Sequence, residues 1–299
     1  MTYTLRQLRY FVAAADGGSV TAAARACHVA QPSVSTALAQ LEAGLGVQLF
    51  IRHHAQGLSL TPAGRRLVGD ARSLLSHADG LRAAARGLGE GLAGTLDIGC
   101  FVTFAPFVVP ALLGAVARRH PEIRVVVHER DLDGLREGLR SGRHELALTY
   151  GLGLDEDVVF TPLVEVPIHA VLPADHPLAR RPKVSLRRLA AEPMVLLSLP
   201  RSRDYFLSIF HAHGLEPLIA HESPSFEMVR SLVGNGHGYA LMHSRPVSEE
   251  ALDGKRLVYR RLAEPLVPER LGLARMAGVR PTRMAEAFAA ACAAHLAGR

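Results

Sequence analysis

The chain has 299 residues, a formal net charge of +6 and 48% apolar residues, which allows two or three domains with a sizeable core. No run approaches the ~20 apolar residues of a membrane span, and no signal peptide is predicted at the N-terminus. Three widely spaced cysteines suggest a reducing compartment and argue against a disulfide framework. We therefore expect a cytoplasmic protein that does not bind a membrane.

The positive charge is concentrated near the N-terminus. Residues 1–66 hold six arginines against Asp16 and Glu42, a formal charge of +4 over about a fifth of the chain. A small basic module suggests a polyanionic partner, although a merely soluble basic surface explains the charge equally well.

Three short helices are predicted in the first 44 residues. Apolar spacings of three and four predict a helix over 5–15, followed by a second helix that Ser19 caps. A turn at 28–30 leads to a third helix over 31–44. Two helices across a tight turn, the second beginning with small polar residues, are typical of a helix-turn-helix motif. Polar side chains there can donate to phosphates or base edges in the major groove.

Two strands are predicted next. The segments 47–52 and 57–60 alternate in the manner of strands and are joined by a polar tip at 53–56. This hairpin is interpreted as a wing, from which Arg52 can reach a flanking phosphate or the minor groove.

A long helix is predicted from Thr61 to Glu90. Leucines recur every seven residues, and alanines follow the first three of them by four residues, which is the spacing of a coiled-coil seam: Leu67, Leu74, Leu81 and Leu88, with Ala71, Ala78 and Ala85. Thr61 can cap the helix, Pro62 suits its first turn, and the glycines at 87, 89, 91 and 94 end it. Either the helix packs on its own domain or it dimerises two functional units.

After Thr95, strands alternate with helices, which argues for parallel α/β packing. Strands are predicted at 96–101, 123–128, 146–150, 168–172, 194–197, 239–242 and 271–276. Helices are predicted at 105–120, near 132–139, 205–213 and 226–233, and over 281–296. Segment 158–164 is expected to lead into a second unit.

The N-terminal residues resemble the signature of LysR-type transcriptional regulators. The matching segments are Ser19-Val20-Thr21-Ala22-Ala23-Ala24, His28-Val29-Ala30-Gln31-Pro32-Ser33-Val34-Ser35, Gln40-Leu41-Glu42, Leu45-Gly46-Val47-Gln48-Leu49-Phe50-Ile51-Arg52 and Leu60-Thr61-Pro62-Ala63-Gly64. The resemblance implies an α/β protein with an N-terminal winged helix-turn-helix, a long linker helix and a two-lobed sensor like a periplasmic binding protein. The implied bounds are 1–60 for the DNA-binding domain, 61–91 for the linker, and 92–299 for the effector-binding domain, with lobe I at about 92–162 and 269–299 and lobe II at about 163–268.

The resemblance also implies the partners and the DNA contacts. The expected partners are double-stranded operator DNA, a small-molecule effector and further copies of the chain, as a homodimer or homotetramer associated with the nucleoid. The candidate DNA-binding residues are Thr21, Gln31, Pro32, Ser33, Ser35, Thr36 and Arg52. Three positions depart from the family pattern: Thr36 stands where arginine is frequent, Ala22 where a basic residue is frequent, and Ala30 where a serine cap is common.

Effector contacts are expected beyond the carboxyl ends of strands and at helix N-termini, where ligands of open α/β sheets bind and anions are favoured. The candidates are Val102, Thr103, Leu132, Tyr150, Ser202, Arg203, Ser225 and Phe226. Arg201 or Arg203 can pair with a carboxylate, so a carboxylate-bearing effector is one candidate. Taken singly, each hydroxyl is better explained as an ordinary helix cap, and only their convergence on one expected cleft favours a site.

Other functional classes have less support. The histidine pairs at 53–54 and 211/213 lack nearby cysteines, so no metal site is expected, and no cofactor either. Cys100 lies on a predicted buried strand and is expected to pack. A transport solute-binding protein is disfavoured by the basic N-terminal module, and an enzyme by the absence of any acid, base or nucleophile constellation.

Overall fold

The computed structural model describes residues 3–53, 57–86 and 92–297, with the backbone alone for 82–86. The N-terminal head comprises α1 (Leu5–Gly17), α2 (Val20–Ala26), α3 (Gln31–Leu45), β1 (Phe50–His53) and β2 (Gly57–Leu60), and α4 (Pro62–Arg86) follows. The next elements are β3 (Gly94–Phe101), α5 (Ala105–Arg119), β4 (Ile123–Arg130), α6 (Leu132–Arg140), β5 (Leu146–Tyr150) and β6 (Val158–Val166). The chain continues with β7 (His169–Pro173), a 3₁₀ turn (Pro177–Arg180), β8 (Lys183–Val184), α7 (Leu186–Ala190), β9 (Pro193–Leu197), α8 (Ser202–His211), β10 (Leu218–Ser223) and α9 (Phe226–Gly234). It closes with β11 (Ala240–Met242), β12 (Leu257–Leu262), β13 (Glu269–Met276) and α10 (Arg283–Leu296).

The helix caps of the head follow the sequence. The Ser19 hydroxyl accepts from the amide of Ala22 at 3.0 Å, as predicted. Ala30 holds the extended backbone of an N-cap but supplies no side-chain acceptor to α3. As Ala30 in the sequence indicates, α3 begins without a side-chain cap, at a cost of about 1 kcal/mol relative to serine.

The first strand of the wing begins three residues later than predicted. The Glu42 carboxylate accepts from the amides of Leu49 at 2.7 Å and Phe50 at 3.1 Å. The Leu49 carbonyl accepts from the Thr61 amide at 2.9 Å. These bonds with α3 and the start of α4 occupy backbone groups that a longer strand would use, so β1 pairs with β2 only from Phe50 onward. The predicted tip beyond His53 lies outside the described residues.

The linker helix α4 packs on its own head over part of its length, which is the first of the two predicted alternatives. The Thr61 hydroxyl accepts from the Gly64 amide at 3.0 Å, so Thr61 caps α4 as predicted. Ala71 is buried against the head, whereas the side chains of Leu74 and Leu81 are 42% and 72% exposed. The seam therefore packs on its own head at its start and is exposed further along. The predicted helix end at 87–91 and the seam residue at 88 lie outside the described residues.

The C-terminal part contains two larger sheets and a strand pair. The first sheet has the order β4-β3-β5-β13-β6, the second has the order β11-β7-β12-β8, and β9 pairs with β10. Strands β3, β4 and β5 are parallel, as predicted, but β13 runs antiparallel to both β5 and β6. The expectation of parallel packing is thus wrong for both pairs that β13 forms. It is also wrong for the second sheet, where β11 and β12 run antiparallel to β7. Strands β8, β10 and β12 and helix α7 were not predicted.

Within the described residues, no helix is long and apolar enough to cross a membrane.

Candidate functional site

The N-terminal end of α3 presents a row of free polar side chains. Gln31, Ser33 and Thr36 are exposed and Ser35 is half-buried, while Val34 on the opposite face is fully buried in the head. Pro32 and Thr21 are also exposed. Among the residues that the structure describes, the side chains of Gln31, Ser33, Ser35 and Thr36 have no hydrogen-bond partner, so this edge can bond to an external ligand.

The positive charge around this row is largely uncompensated. Arg52 is exposed on β1, and Arg6, Arg25 and Arg66 are exposed as well. None of the four has an acidic partner within the described part of the chain, whereas Arg9 lies 3.8 Å from Asp79. Arg52 therefore remains available to a phosphate, as the sequence predicts for the wing.

A second candidate site lies between the two larger sheets, where α5, α8 and α9 begin. Its cavity has a volume of about 20 Å³, room for about one water molecule. The first sheet and its loops contribute Phe101, Thr103, Tyr150 and Leu152, and the other side contributes Leu197, Ser202, Tyr205, Phe206, Phe226, Met242, His243 and Ser244. Among the residues that the structure describes, none with an acidic or strongly basic side chain lines the cavity.

Aromatic rings close this cavity. The Tyr150 ring centroid lies 5.4 Å from that of Phe101, 5.3 Å from that of Phe104 and 5.4 Å from that of His243. The Tyr205 centroid lies 5.4 Å from His243 on the other side. The two sides therefore meet through edge-on and tilted ring contacts, which add about 0.5–1.5 kcal/mol per pair beyond the buried area.

His243 joins the two sides through hydrogen bonds and stays neutral. Its Nδ1 lies 3.2 Å from the Val166 carbonyl and its Nε2 lies 3.1 Å from the Tyr205 hydroxyl. Burial lowers the pKa of His243 to about 4, against the opposing effect of the Val166 and Pro167 carbonyls. Nδ1 therefore donates to the carbonyl, and Nε2 accepts from the Tyr205 hydroxyl, whose own pKa burial raises.

The Tyr150 hydroxyl is also bound within the cavity. It lies 3.5 Å from the Ser244 hydroxyl. Burial raises the pKa of Tyr150 to about 12, so the phenol stays protonated.

Four of the eight predicted effector contacts line the cavity: Thr103, Tyr150, Ser202 and Phe226. The other four lie elsewhere. Val102 packs at the edge of the core, Leu132 is 2% exposed inside it, and Ser225 caps α9 by accepting from the Met228 amide at 3.3 Å. Arg203 pairs with Glu222 at 3.3 Å, and this bond lowers the pKa of that carboxyl. Ser225 is therefore an ordinary helix cap, which is the alternative given above for each hydroxyl.

The effector contacts predicted from the sequence leave out the carboxyl end of β11. Met242, His243 and Ser244 reach the cavity from the carboxyl end of a strand that was predicted over 239–242. The same rule that selected Thr103 and Tyr150 would have selected them.

A charged contact links the two sides at the surface. Arg201, whose φ is +64°, donates from Nε to Asp133 on α6 and from Nη1 to the Gly153 carbonyl at 3.3 Å. Arg201, one of the two arginines predicted as a partner for a carboxylate ligand, therefore pairs with a carboxylate of its own chain.

No group of three or more metal-ligating side chains occurs among the described residues. Cys100 and Cys292 are fully buried, and burial raises the pKa of both thiols, that of Cys292 to about 12. Cys100 packs, as predicted.

Two family models match consecutive parts of the chain. The model of the bacterial regulatory helix-turn-helix protein, lysR family, matches residues 5–65. The model of the LysR substrate binding domain matches residues 89–297. The chain belongs to the LysR family. It is a LysR-type transcriptional regulator, with a helix-turn-helix head and an α/β substrate-binding domain, as the sequence predicts.

Known members of the LysR family resemble the chain over most of its length. A probable hydrogen peroxide-inducible genes activator of Streptomyces viridosporus is 33% identical over 96% of this chain and 93% of its own length. The crystal structure of HinK from Pseudomonas aeruginosa is 42% identical, covers 99% of both chains and has a TM-score of 0.67. A full-length OxyR variant from Pseudomonas aeruginosa is 26% identical, covers 99% of both chains and has a TM-score of 0.77.

The neutral state of His243 makes stability depend on pH. Its folded pKa of about 4 lies below the ~6.5 of an unfolded histidine, so the unfolded chain binds the additional proton as pH falls. The free energy of unfolding should therefore decrease between pH 6.5 and 4, by up to about 1.4 kcal/mol per pH unit for this proton. Urea unfolding at several pH values measures the slope. The His243→Gln variant should show a shallower slope than the wild type, and equal slopes would contradict the assignment.

Proposed function

We propose that α3 of this LysR regulator enters the major groove of operator DNA and that Arg52 contacts a flanking phosphate. The observation that carries the proposal is the row of unbonded polar side chains on α3, flanked by arginines that lack acidic partners within the described residues. Phosphate contacts would position the head, and the polar row would read base edges. The protein would act in the cytoplasm, at the nucleoid, as a binding protein and not as an enzyme.

We propose that the cavity between the sheets takes a compact effector. Hydroxyl groups of Thr103 and Ser202 and the starts of three helices favour a hydrogen-bonding group, and a carboxylate suits those helix N-termini. Since the lining holds no charged side chain, such a carboxylate would be bound by dipoles and hydroxyls alone. A volume near that of one water molecule implies that the effector binds a more open arrangement and shifts the population towards it.

Peroxide sensing is not part of this proposal, although several relatives are named as hydrogen peroxide-inducible genes activators. The thiolate is the reactive form of cysteine, and Cys100 and Cys292 are buried thiols with raised pKa values. Cys27, the remaining cysteine, lies in the head at the end of α2. A bound molecule therefore fits the chain better than an oxidised thiol.

We further propose that α4 dimerises two heads so that they contact both halves of an operator. The support is the exposed apolar stretch at Leu74 and Leu81, which is costly to leave in water and has coiled-coil spacing. A tetramer would require a further interface.

The DNA proposal is tested by operator binding at several salt concentrations. Arg52→Ala should make the log–log salt slope less steep by about one, since one phosphate contact is lost. Ser35→Ala should weaken specific binding by about 1 kcal/mol. Arg187→Ala, which removes an exposed arginine outside the head, serves as the control and should leave binding unchanged. Unaltered operator affinity in both head variants would rule out the proposed contacts.

The dimer proposal is tested by placing charges in the exposed seam. Leu74→Asp combined with Leu81→Asp should yield monomers in sedimentation equilibrium, because unpaired carboxylates are strongly unfavourable in an apolar interface. The matched double variant with methionine at both positions keeps the seam apolar and should stay dimeric. A dimeric aspartate variant would show that the interface lies elsewhere.

The effector proposal is tested with Thr103→Val, which keeps the side-chain shape and removes the hydroxyl. Ser185→Ala is the control, because Ser185 caps α7, a helix that does not line the cavity. For a carboxylate found in a thermal-shift screen of small acids, Thr103→Val should weaken binding by about 1.5–3 kcal/mol, or roughly ten- to a hundredfold. Operator binding without the effector should be retained. Equal affinities of wild type and Thr103→Val would exclude Thr103 from the site.

A further inference from the structure

A second depression opens on the second sheet, outside the effector cavity. It has a volume of about 440 Å³ and includes His169 on β7, Arg260 and Arg261 on β12, Arg180 and Arg181 at the end of the 3₁₀ turn, and Arg245 after β11. We call these six residues the arginine pocket. Its volume lies within the range of small-molecule sites.

The arginine pocket carries a strong and largely uncompensated positive charge. Its lining contains five arginines and no carboxylate. Within the described part of the chain, Arg245 pairs with Glu249 at 2.7 Å, and no acidic residue pairs with the other four arginines. Charges of one sign gathered in a concave site raise the local concentration of counter-ions and favour a ligand of opposite charge.

Several guanidinium donors in the pocket are free. Arg260 donates from Nε to the Ala179 carbonyl at 2.8 Å and from Nη1 to the Tyr259 carbonyl at 3.0 Å, which fixes its position and leaves Nη2 unbonded within the described residues. The side chains of Arg181 and Arg261 are exposed, with no bonded partner in the same part of the chain. Guanidinium groups of this kind bind carboxylate or phosphate oxygens in pairs.

The pocket also includes a buried polar group that lacks a partner. His169 is 9% exposed, and its Nδ1 makes no hydrogen bond to any described residue. Burial lowers its pKa, and the charges of Arg245 and Arg261 lower it further, against a smaller effect of the Pro167 carbonyl. Buried polar atoms are nearly always bonded, and His169 therefore adds an unpaired polar atom to a lining that carries five cations.

We propose that the arginine pocket binds a small, multiply charged oxyanion that carries phosphate or carboxylate groups. A compact ligand is favoured over a nucleic acid or a protein surface because the guanidinium groups converge from three chain segments on a concave site with a buried histidine. The proposal is independent of the effector cavity, whose lining shares no residue with the pocket.

The pocket nevertheless lies close to the effector cavity along the chain. His243 and Ser244 line the cavity, and Arg245, the next residue, lines the pocket. An oxyanion bound by Arg245 would therefore contact the residue that directly follows His243 and Ser244 of the cavity lining.

The test is isothermal titration of the full-length protein, without DNA, using inorganic pyrophosphate and citrate as separate probes. Arg181→Ala combined with Arg261→Ala should weaken binding at least about tenfold, because two charge-assisted contacts are lost. Both side chains are exposed, so the fold should be unaffected, and thermal unfolding checks this. Binding of one probe alone would identify the oxyanion as phosphate or carboxylate.

Two control pairs make the outcome decisive. Arg187→Ala with Arg188→Ala removes the same charge from α7, outside the pocket, and should leave probe affinity unchanged. An equal loss in this pair would show a general charge effect and overturn the proposal. Arg52→Ala with Arg66→Ala tests the head, and loss of binding there with retention in the pocket variant would place the anion at the DNA surface instead. Failure of both probes to bind the wild type would also overturn the proposal.

Discussion

The antiparallel pairing of β6 with β13 is the constraint on which the sensor depends. The register runs from Val158 opposite Met276 to Val166 opposite Glu269, with a shift beside Gly272. A side chain at Gly272 would meet the Thr161 carbonyl at 2.2 Å, so only glycine allows this approach. Because the outward and return paths of the chain are bonded side by side in this ladder, the two connections to the second sheet leave the first sheet at the same place, after Val166 and before Glu269. The cavity between the sheets lies beside this joint, which is where bending of these connections changes its width most directly.

Charge is distributed in opposite ways inside and outside the cavity. Inside the cavity, His243 is neutral and Tyr150 and Tyr205 are protonated. Ring contacts and hydroxyl groups therefore hold the two sides of the cavity together. At the surface, Arg201 bonds Asp133 and the Gly153 carbonyl across the gap. The two sides of the cavity are therefore held together by weak contacts that a ligand can replace. One exposed ion pair adds at most about 1 kcal/mol to the stability of the closed arrangement. A few kilocalories per mole of differential binding are enough to shift such an equilibrium.

Local signals in the sequence predicted the structure well, and long-range pairing limited the prediction. Some features depend only on residues that are adjacent in the sequence and can be predicted from them. They include the cap at Ser19, the missing cap at Ala30 and most strands of the first sheet. The late start of β1 depends on the Glu42 carboxylate in a different element, and the pairing of Arg203 with Glu222 joins α8 to β10. The cavity collects segments more than a hundred residues apart. Four of the eight residues that a rule about strand ends selected lie in its lining, whereas Ser225 caps its own helix and Arg203 pairs with Glu222.

The side chain of Arg72, midway along α4, bonds to the units on both sides of its own helix. Its guanidinium donates to Asp16 at the end of α1 and to the backbone carbonyl of Ser141 after α6, so head, linker and sensor share a single group. The sensor contributes only a backbone oxygen, which almost any residue can supply, whereas the head contributes a specific carboxylate. Hybrid regulators that join this head and linker to a sensor from a relative should therefore preserve the junction despite differences in sensor sequence. Hybrids that exchange the head need an acidic residue at position 16.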